Sequence, residues 1–278
     1  MTEAETAVAK QAIAAAAKTR RYGGWYVAEH RFLVMRSYLQ TVVVTSFGNP
    51  LLYLFAMGVG LASLIDTNLG GTAGGVGYLQ FVAPALLCMA AVTVASEEFT
   101  YPVMLGFKWN PIFYGMNASP VSAGQIIDGM VYSIAARIIG TCGIYYVFML
   151  LFGAVPAPWG ALSIAVATGT GLGFGAMIMA YVATLKQDTG QIAMIMRFGL
   201  LPMTLFSGTF FPLESMPIYL QWVGWVSPLW HGVELSRVFC YGLSEPLWLS
   251  GIHVVYLVVL IVVGWLLARR IAARRLNT

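Results

Sequence analysis

The sequence predicts an all-α integral membrane protein that crosses the bilayer about six times. Three observations carry this expectation. Of 278 residues, 59% are hydrophobic and only 9% charged, against roughly a quarter charged in a soluble domain, too few to cover a fold of this size in water. The mean hydropathy of +0.78 comes from long uninterrupted apolar stretches, each near the ~20 residues that a helix needs to span hydrocarbon. The basic residues behind the net charge of +4 gather at the ends of those stretches, which is a topology signal and not a nucleic-acid-binding stripe.

The elements follow in order. Residues 1–24 form an Ala-rich tail, helical or frayed, that closes on Lys18, Arg20 and Arg21. No apolar h-region marks it as a cleaved signal peptide. Residues 25–36 mix Trp25, Tyr26, Phe32 and Leu33 with Glu29, Arg31 and Arg36, which suits an amphipathic helix at headgroup level, or an extension of the first span. Residues 37–268 form the transmembrane domain. Its first span runs from Tyr38 to Ile65, with a bend expected at Gly48-Asn49-Pro50. A Gly-rich loop, Asp66 to Gly77, leads to a second span from Tyr78 to Ser96, ended by Glu97-Glu98. Phe99 to Val121 carries Pro102, Lys108, Pro111 and Pro120, and reads as an inner loop holding a short helix.

The third span, Ser122 to Phe152, and the fourth, Trp159 to Leu185, flank a Pro156-Ala157-Pro158 turn. Gly169, Gly171, Gly173 and Gly175 give the fourth two small faces on which neighbouring helices can approach closely. After Lys186 to Gln191 a fifth span, Ile192 to Phe211, is stopped by Pro212. Leu213 to Glu245 is apolar but divided by Pro217 and Pro228 into pieces too short to cross, so short re-entrant or interfacial helices are expected. The sixth span, Leu247 to Ala268, leads into a basic tail, 269–278. In this arrangement twelve of the 15 Lys and Arg residues face the cytoplasm with both termini, while Arg237 lies in an outer loop and Arg137 and Arg197 lie within spans. No internal repeat supports an inverted-repeat architecture.

Several chemistries are not written in the chain. There is no GxxxxGK[ST] loop, HExxH or GxSxG motif, so nucleotide hydrolysis belongs to another polypeptide. Cys88, Cys142 and Cys240 have no CxxC spacing, and His30, His231 and His253 lie far apart, so no metal site is expected. Ionisable residues at membrane depth are costly and default to functional candidates. Asp128, Arg137 and Arg197 qualify, with Asp188 beside them, either as a polar lining or inter-helix lock or as locally paired groups. The apolar block Pro111 to Asn117 either docks in a hydrophobic groove of a soluble partner or packs on the membrane surface.

Gly48-Asn49-Pro50-Leu51-Leu52-Tyr53-Leu54-Phe55 with Gly58-Val59-Gly60-Leu61, then Phe206-Ser207-Gly208-Thr209-Phe210-Phe211-Pro212-Leu213-Glu214-Ser215-Met216-Pro217, and finally Ser227-Pro228-Leu229-Trp230-His231 with Glu234-Leu235-Ser236-Arg237, resemble the type-2 ABC exporter permeases. The closest subgroup is the nodulation-type lipo-oligosaccharide and daunorubicin-type drug exporters, and the likeness covers nearly the whole chain after about Trp25. The resemblance implies a bacterial inner-membrane permease that dimerises with a second permease subunit, itself or a related chain. It further implies two separate ATPase subunits that hold ATP and Mg, no cofactor in this chain, and outward movement of a lipid-linked saccharide, glycolipid or hydrophobic drug. ATPase coupling then falls to Glu97, Glu98, Lys108, Pro111, Phe113, Tyr114, Met116 and Asn117, with Phe113-Tyr114 replacing an acidic residue of the family pattern. A re-entrant segment or translocation path falls to Phe211, Pro212, Glu214, Pro217, Pro228, His231, Glu234 and Arg237. The rival readings are a membrane-embedded enzyme acting on lipids, which should cluster catalytic polar groups at one face, and a structural assembly subunit.

Overall fold

In the computed structural model, which describes residues 3–61 and 76–277, the apolar runs fold as helices. The Ala-rich start forms α1, Glu3–Ser37, since Ala is the residue least penalised in a helix interior. Non-helical backbone at Tyr22 divides α1, so segment 25–36 is its second half. Helix α2, Leu39–Phe55, continues into a π-helical stretch, Ala56–Leu61. It runs on through Pro50, because one missing N–H is tolerated in a membrane helix when local adjustment re-satisfies the freed carbonyl. The end of the expected first span and almost all of the Gly-rich loop lie outside the described residues.

Helix α3, Tyr78–Met104, is prolonged by a π-helical turn, Leu105–Trp109. It therefore does not end at Glu97-Glu98, as the charges suggested. Pro84 and Pro102 lie inside it, and the hydroxyls of Ser96 and Thr100 bond back to the Val92 and Ser96 carbonyls, each at 2.6 Å. The expected short helix is α4, Ile112–Asn117. A capping box between Ser122 and Gln125 starts α5, Ala123–Leu151, and satisfies two otherwise unpaired backbone N–H groups.

Next comes α6, Leu162–Thr184, and then α7, Gln191–Phe206, which has a π-helical centre at Ile195–Leu200. Helix α7 stops short of the expected Phe211, because the chain turns at Gly208 with φ +70° and the Ser207 hydroxyl is held 2.6 Å from that of Ser227. Proline introduces each of the two following helices, α8, Ile218–Val226, and α9, Pro228–Tyr241, where its fixed φ suits a first turn and its missing N–H costs nothing. Helix α10, Leu247–Leu276, absorbs the basic segment that was expected to be a tail.

Among the described residues four helices are long and apolar enough to cross a membrane, α3 with its π turn, α5, α6 and α10, and the apolar helix α7 is shorter. Helix α6 is the packing centre, most extensively in contact with α3 and α10. A Cβ on Gly171 would come within 2.7 Å of the Ala91 carbonyl oxygen of α3, whereas one on Gly173 would face Leu257 and Leu260 of α10. From the α10 side, a Cβ on Gly264 would sit 2.6 Å from the Ala176 carbonyl carbon. These small faces are what allow backbones to touch where lipid supplies no hydrophobic drive.

Candidate functional site

Where α1, α3 and α5 meet, Glu98 is buried between two arginines. One of its oxygens accepts from Arg31 Nη2 at 2.6 Å and the other from Arg137 Nη1. Arg31 Nε also donates to the Ser133 hydroxyl at 3.1 Å. The side chains of Arg31, Glu98 and Arg137 are 17%, 6% and 10% exposed, so the one carboxylate compensates two guanidinium groups in a poorly hydrated place. Taking away one partner of such a buried set typically costs about 3–5 kcal/mol, because a charge is left uncompensated. Glu98 was expected among the ATPase-coupling residues as a rim charge orienting the partner, whereas in the structure it is buried and paired inside the chain. Its neighbour Glu97 is exposed.

Lower on α5, about 14 Å from Arg137 by helical rise, Asp128 accepts from Trp265 Nε1 at 2.8 Å and pairs with Arg269 at 3.4 Å, both on α10. Asp128 and Arg137 therefore lock different helices and not one another. Asp188 accepts from the backbone N–H of Gly190 at 3.0 Å and so organises the start of α7. Arg197 is exposed on α7 and has no ion pair among the described residues.

The short helix α4 is pinned by its neighbours. Phe113 is buried and meets Phe107 edge-on with centroids 5.0 Å apart, while a Cβ on Gly106 would overlap its ring. Asn117 Nδ2 donates to the Leu276 carbonyl at 3.2 Å. Arg275 lies 4.3 Å over the Phe107 ring and donates to the carbonyls of Ala183 and Leu185 at 2.8 and 2.7 Å. Phe113 is thus an internal anchor, contrary to its expected role as a partner's anchor. Lys108, Pro111, Ile112 and Tyr114 remain exposed and Met116 half-buried.

The segment after α7 gathers around Arg237, which is 2% exposed. Its guanidinium donates to the Phe81 and Gly208 carbonyls at 3.3 and 2.7 Å, pairs with Glu234 at 2.8 Å and stacks 3.7 Å from the Phe81 ring centre. Arg237 is therefore a helix-borne pin and not a loop charge. Phe211, Glu214 and Pro217 are exposed, and Pro212 and Pro228 half-buried. Beside them His231 and His253 meet through their Nδ1 atoms at 2.6 Å, His231 Nε2 reaches the Trp225 carbonyl at 3.0 Å, and His253 Nε2 reaches Glu245 at 2.8 Å.

Donor counting fixes much of this chain. The Trp225 carbonyl only accepts, so His231 Nε2 carries hydrogen, and with His231 neutral its Nδ1 accepts while His253 Nδ1 donates. One proton must then lie between His253 and Glu245. No group of three or more His, Cys, Asp or Glu is arranged to hold a metal among the described residues.

Arg31, Glu245, His253, Trp265 and Arg269 were missed as site residues. A usable signal existed only for Arg31 and Arg269, basic residues flanking apolar runs, of a sign to match Glu98 and Asp128 on other runs.

The family profile of the ABC-2 type transporter matches residues 25–241. Nodulation protein J of Rhizobium leguminosarum bv. viciae is 25% identical, covering 90% of this chain and 93% of its own length, and the Rhizobium meliloti (strain 1021) protein of that name is 26% identical, covering 91% and 95%. The inner membrane transport permease YadH of Escherichia coli K12 is 26% identical over 88% of this chain and 93% of its own. With a membrane-spanning helical bundle that lacks a nucleotide-binding motif of its own and a family match over most of its length, the chain belongs to the ABC-2 type transporter family as a transmembrane permease component.

Proposed function

We propose that the chain forms the translocation half of an exporter that moves a lipid-linked saccharide, glycolipid or hydrophobic drug outward across a bacterial cytoplasmic membrane. The observation that carries this reading is α4. It is a short helix fixed by Phe113 and Asn117 from behind, yet it presents Ile112 and Tyr114, 38% and 42% exposed, away from the fold. An apolar patch braced in this way fits a groove on a soluble ATPase better than a passive turn. Two ATPase subunits holding ATP and Mg would supply the energy, with Glu97 and Lys108 at the rim of the contact.

Helices α2 and α7 serve as the first and fifth of six spans in this reading. Their exposed Leu52, Phe55, Phe198 and Leu201 fit a seam with a second permease subunit, itself or a related chain. The pair α8 and α9 re-enters the outer leaflet, and both termini are cytoplasmic. The amphiphilic cargo rests on the resemblance to lipo-oligosaccharide and drug exporter permeases.

The test is co-expression with an ATP-binding cassette ATPase of the same organism, reconstitution into vesicles and identification of the lipid that co-purifies. ATP-dependent disappearance of that lipid from the cytoplasmic-side leaflet is expected. Failure of any ATPase to associate, with no nucleotide-dependent movement, would remove the reading.

A further inference from the structure

The geometry points to a binding site for one acidic phospholipid in the groove between α1, α2 and α5. The groove has a cavity of about 360 Å³, lined by Phe32, Met35, Arg36, Leu39, Arg137 and Gly140 among others. Its floor is apolar and elongated along α2 and α5, with Val42, Val43 and Ile144 beyond Leu39, which is the shape and chemistry of an acyl chain's resting place. Its polar end is cationic. Arg36 is exposed there and makes no ion pair among the described residues.

Arg137 supplies the second, independent sign of a ligand. Its side chain is nine-tenths buried and its Nη1 is spent on Glu98, but its Nε has no hydrogen-bond partner among the described residues although it is shielded from solvent. A buried donor left unmade is costly, and most such groups in native structures turn out to be satisfied.

Charge complementarity selects the occupant. Arg31, Arg36 and Arg137 against Glu98 and the neighbouring Glu97, which also feels Arg137, leave a surplus of one positive charge at the mouth of an otherwise apolar groove. A second copy of this chain or a neutral lipid would bury that surplus without compensating it. A lipid phosphate with an anionic headgroup accepts from both guanidinium groups while its chain covers the floor, the pairing for which Arg is best suited. The leaflet is the one against which α1 lies, and the inner leaflet if the proposed orientation holds. The site needs neither cargo nor ATPase, so it stands or falls apart from the export reading.

The test uses the full-length purified permease in nanodiscs of phosphatidylcholine with or without phosphatidylglycerol, with retained lipid counted by native mass spectrometry. Wild type is expected to retain one phosphatidylglycerol per chain in preference to phosphatidylcholine. R36Q should weaken that retention about tenfold, the loss of one charge-assisted hydrogen bond. G140L should weaken it at least as much by filling the floor, since a Cβ at this position meets nothing within 4 Å, and an unchanged thermal midpoint of the variant is the control for folding. Both variants retaining phosphatidylglycerol like wild type would overturn the site. So would equal retention of phosphatidylcholine, displacement by equimolar inorganic phosphate, which would mark a free-anion site, or a change of oligomeric state in G140L in place of lipid loss.

Discussion

Replacing Glu98 by Gln tests the ion triad most directly, since it preserves shape and removes the charge that both Arg31 and Arg137 use. Neither arginine has another carboxylate among its hydrogen-bond partners here. The variant therefore leaves two like charges facing each other across an amide. Arg137, 10% exposed, has little room to escape, whereas Arg31, 17% exposed, can swing toward headgroups and recover part of its hydration. The loss should thus fall at the lower end of the range for a broken buried set, about 3 kcal/mol. For a chain of this size each kcal/mol moves the midpoint by roughly 2–4 °C, so thermal unfolding of the purified permease should drop by roughly 6–12 °C. Adding Arg31→Gln to Glu98→Gln should recover part of that loss, because only one uncompensated charge remains. A Glu98→Gln midpoint within about 1 °C of wild type would refute the argument and mean that the triad is solvated in the membrane.

Topology is open to labelling in the wild-type background, because Cys88, Cys142 and Cys240 are all buried and should stay silent. Ser119→Cys and Ser244→Cys, both exposed, should react from opposite sides of the membrane, and reaction from the same side would contradict the proposed arrangement. On α4, Tyr114→Ala should weaken ATPase co-purification about 30-fold, the equivalent of a 2 kcal/mol hot spot, without changing the permease midpoint. Phe113→Ala should instead lower that midpoint, since a buried aromatic truncated to Ala costs about 3–5 kcal/mol. In α6, Gly171→Leu should destabilise the bundle by roughly 1–3 kcal/mol through overpacking against Ala91. Gly169→Leu should be silent in the same melt, since a Cβ there meets nothing within 4 Å.

The helices were legible because apolar length and turn residues are local properties. The Gly171–Gly173–Gly175 spacing and the prolines opening α8 and α9 did in the fold what their chemistry suggested, whereas Gly169 meets no neighbour within 4 Å. The boundaries that failed share one cause, which is that a charge or proline was taken as a stop. Glu98 does not end α3, because arginines 67 and 39 positions away in sequence compensate it. Arg269 does not end α10 either, since Asp128 compensates its charge. The site was less legible for the same reason. His231 and His253, 22 positions apart, carry no local mark that their rings touch, and nothing in Pro111 to Asn117 distinguishes the inward Phe113 from the outward Tyr114 until Gly106 and Phe107 are seen behind it.

The restraints on α4 bear on how a displacement there would spread. Its C-terminal end is bonded to the last turn of α10 through Asn117, and Arg275 in that turn holds the carbonyls that close α6. Helix α10 is joined in turn to α5 by the Asp128 contacts with Trp265 and Arg269. A push on Ile112 and Tyr114 would therefore reach α5, α6 and α10 together, since moving one alone would strip buried carbonyls or a carboxylate of their partners. Helix α1 is tied to α5 at two levels, by Gln125 Nε2 donating to the Arg20 carbonyl at the α4 end and through Arg31 and Glu98 higher up. The two attachments are chemically distinct, hydrogen bonds to main-chain carbonyls at one and a compensated charge cluster at the other. Rocking the bundle against α1 strains the triad as well as the Gln125 bond, and Glu98 is the side chain whose loss should loosen the upper half of α1 while leaving the clasp on α4 intact.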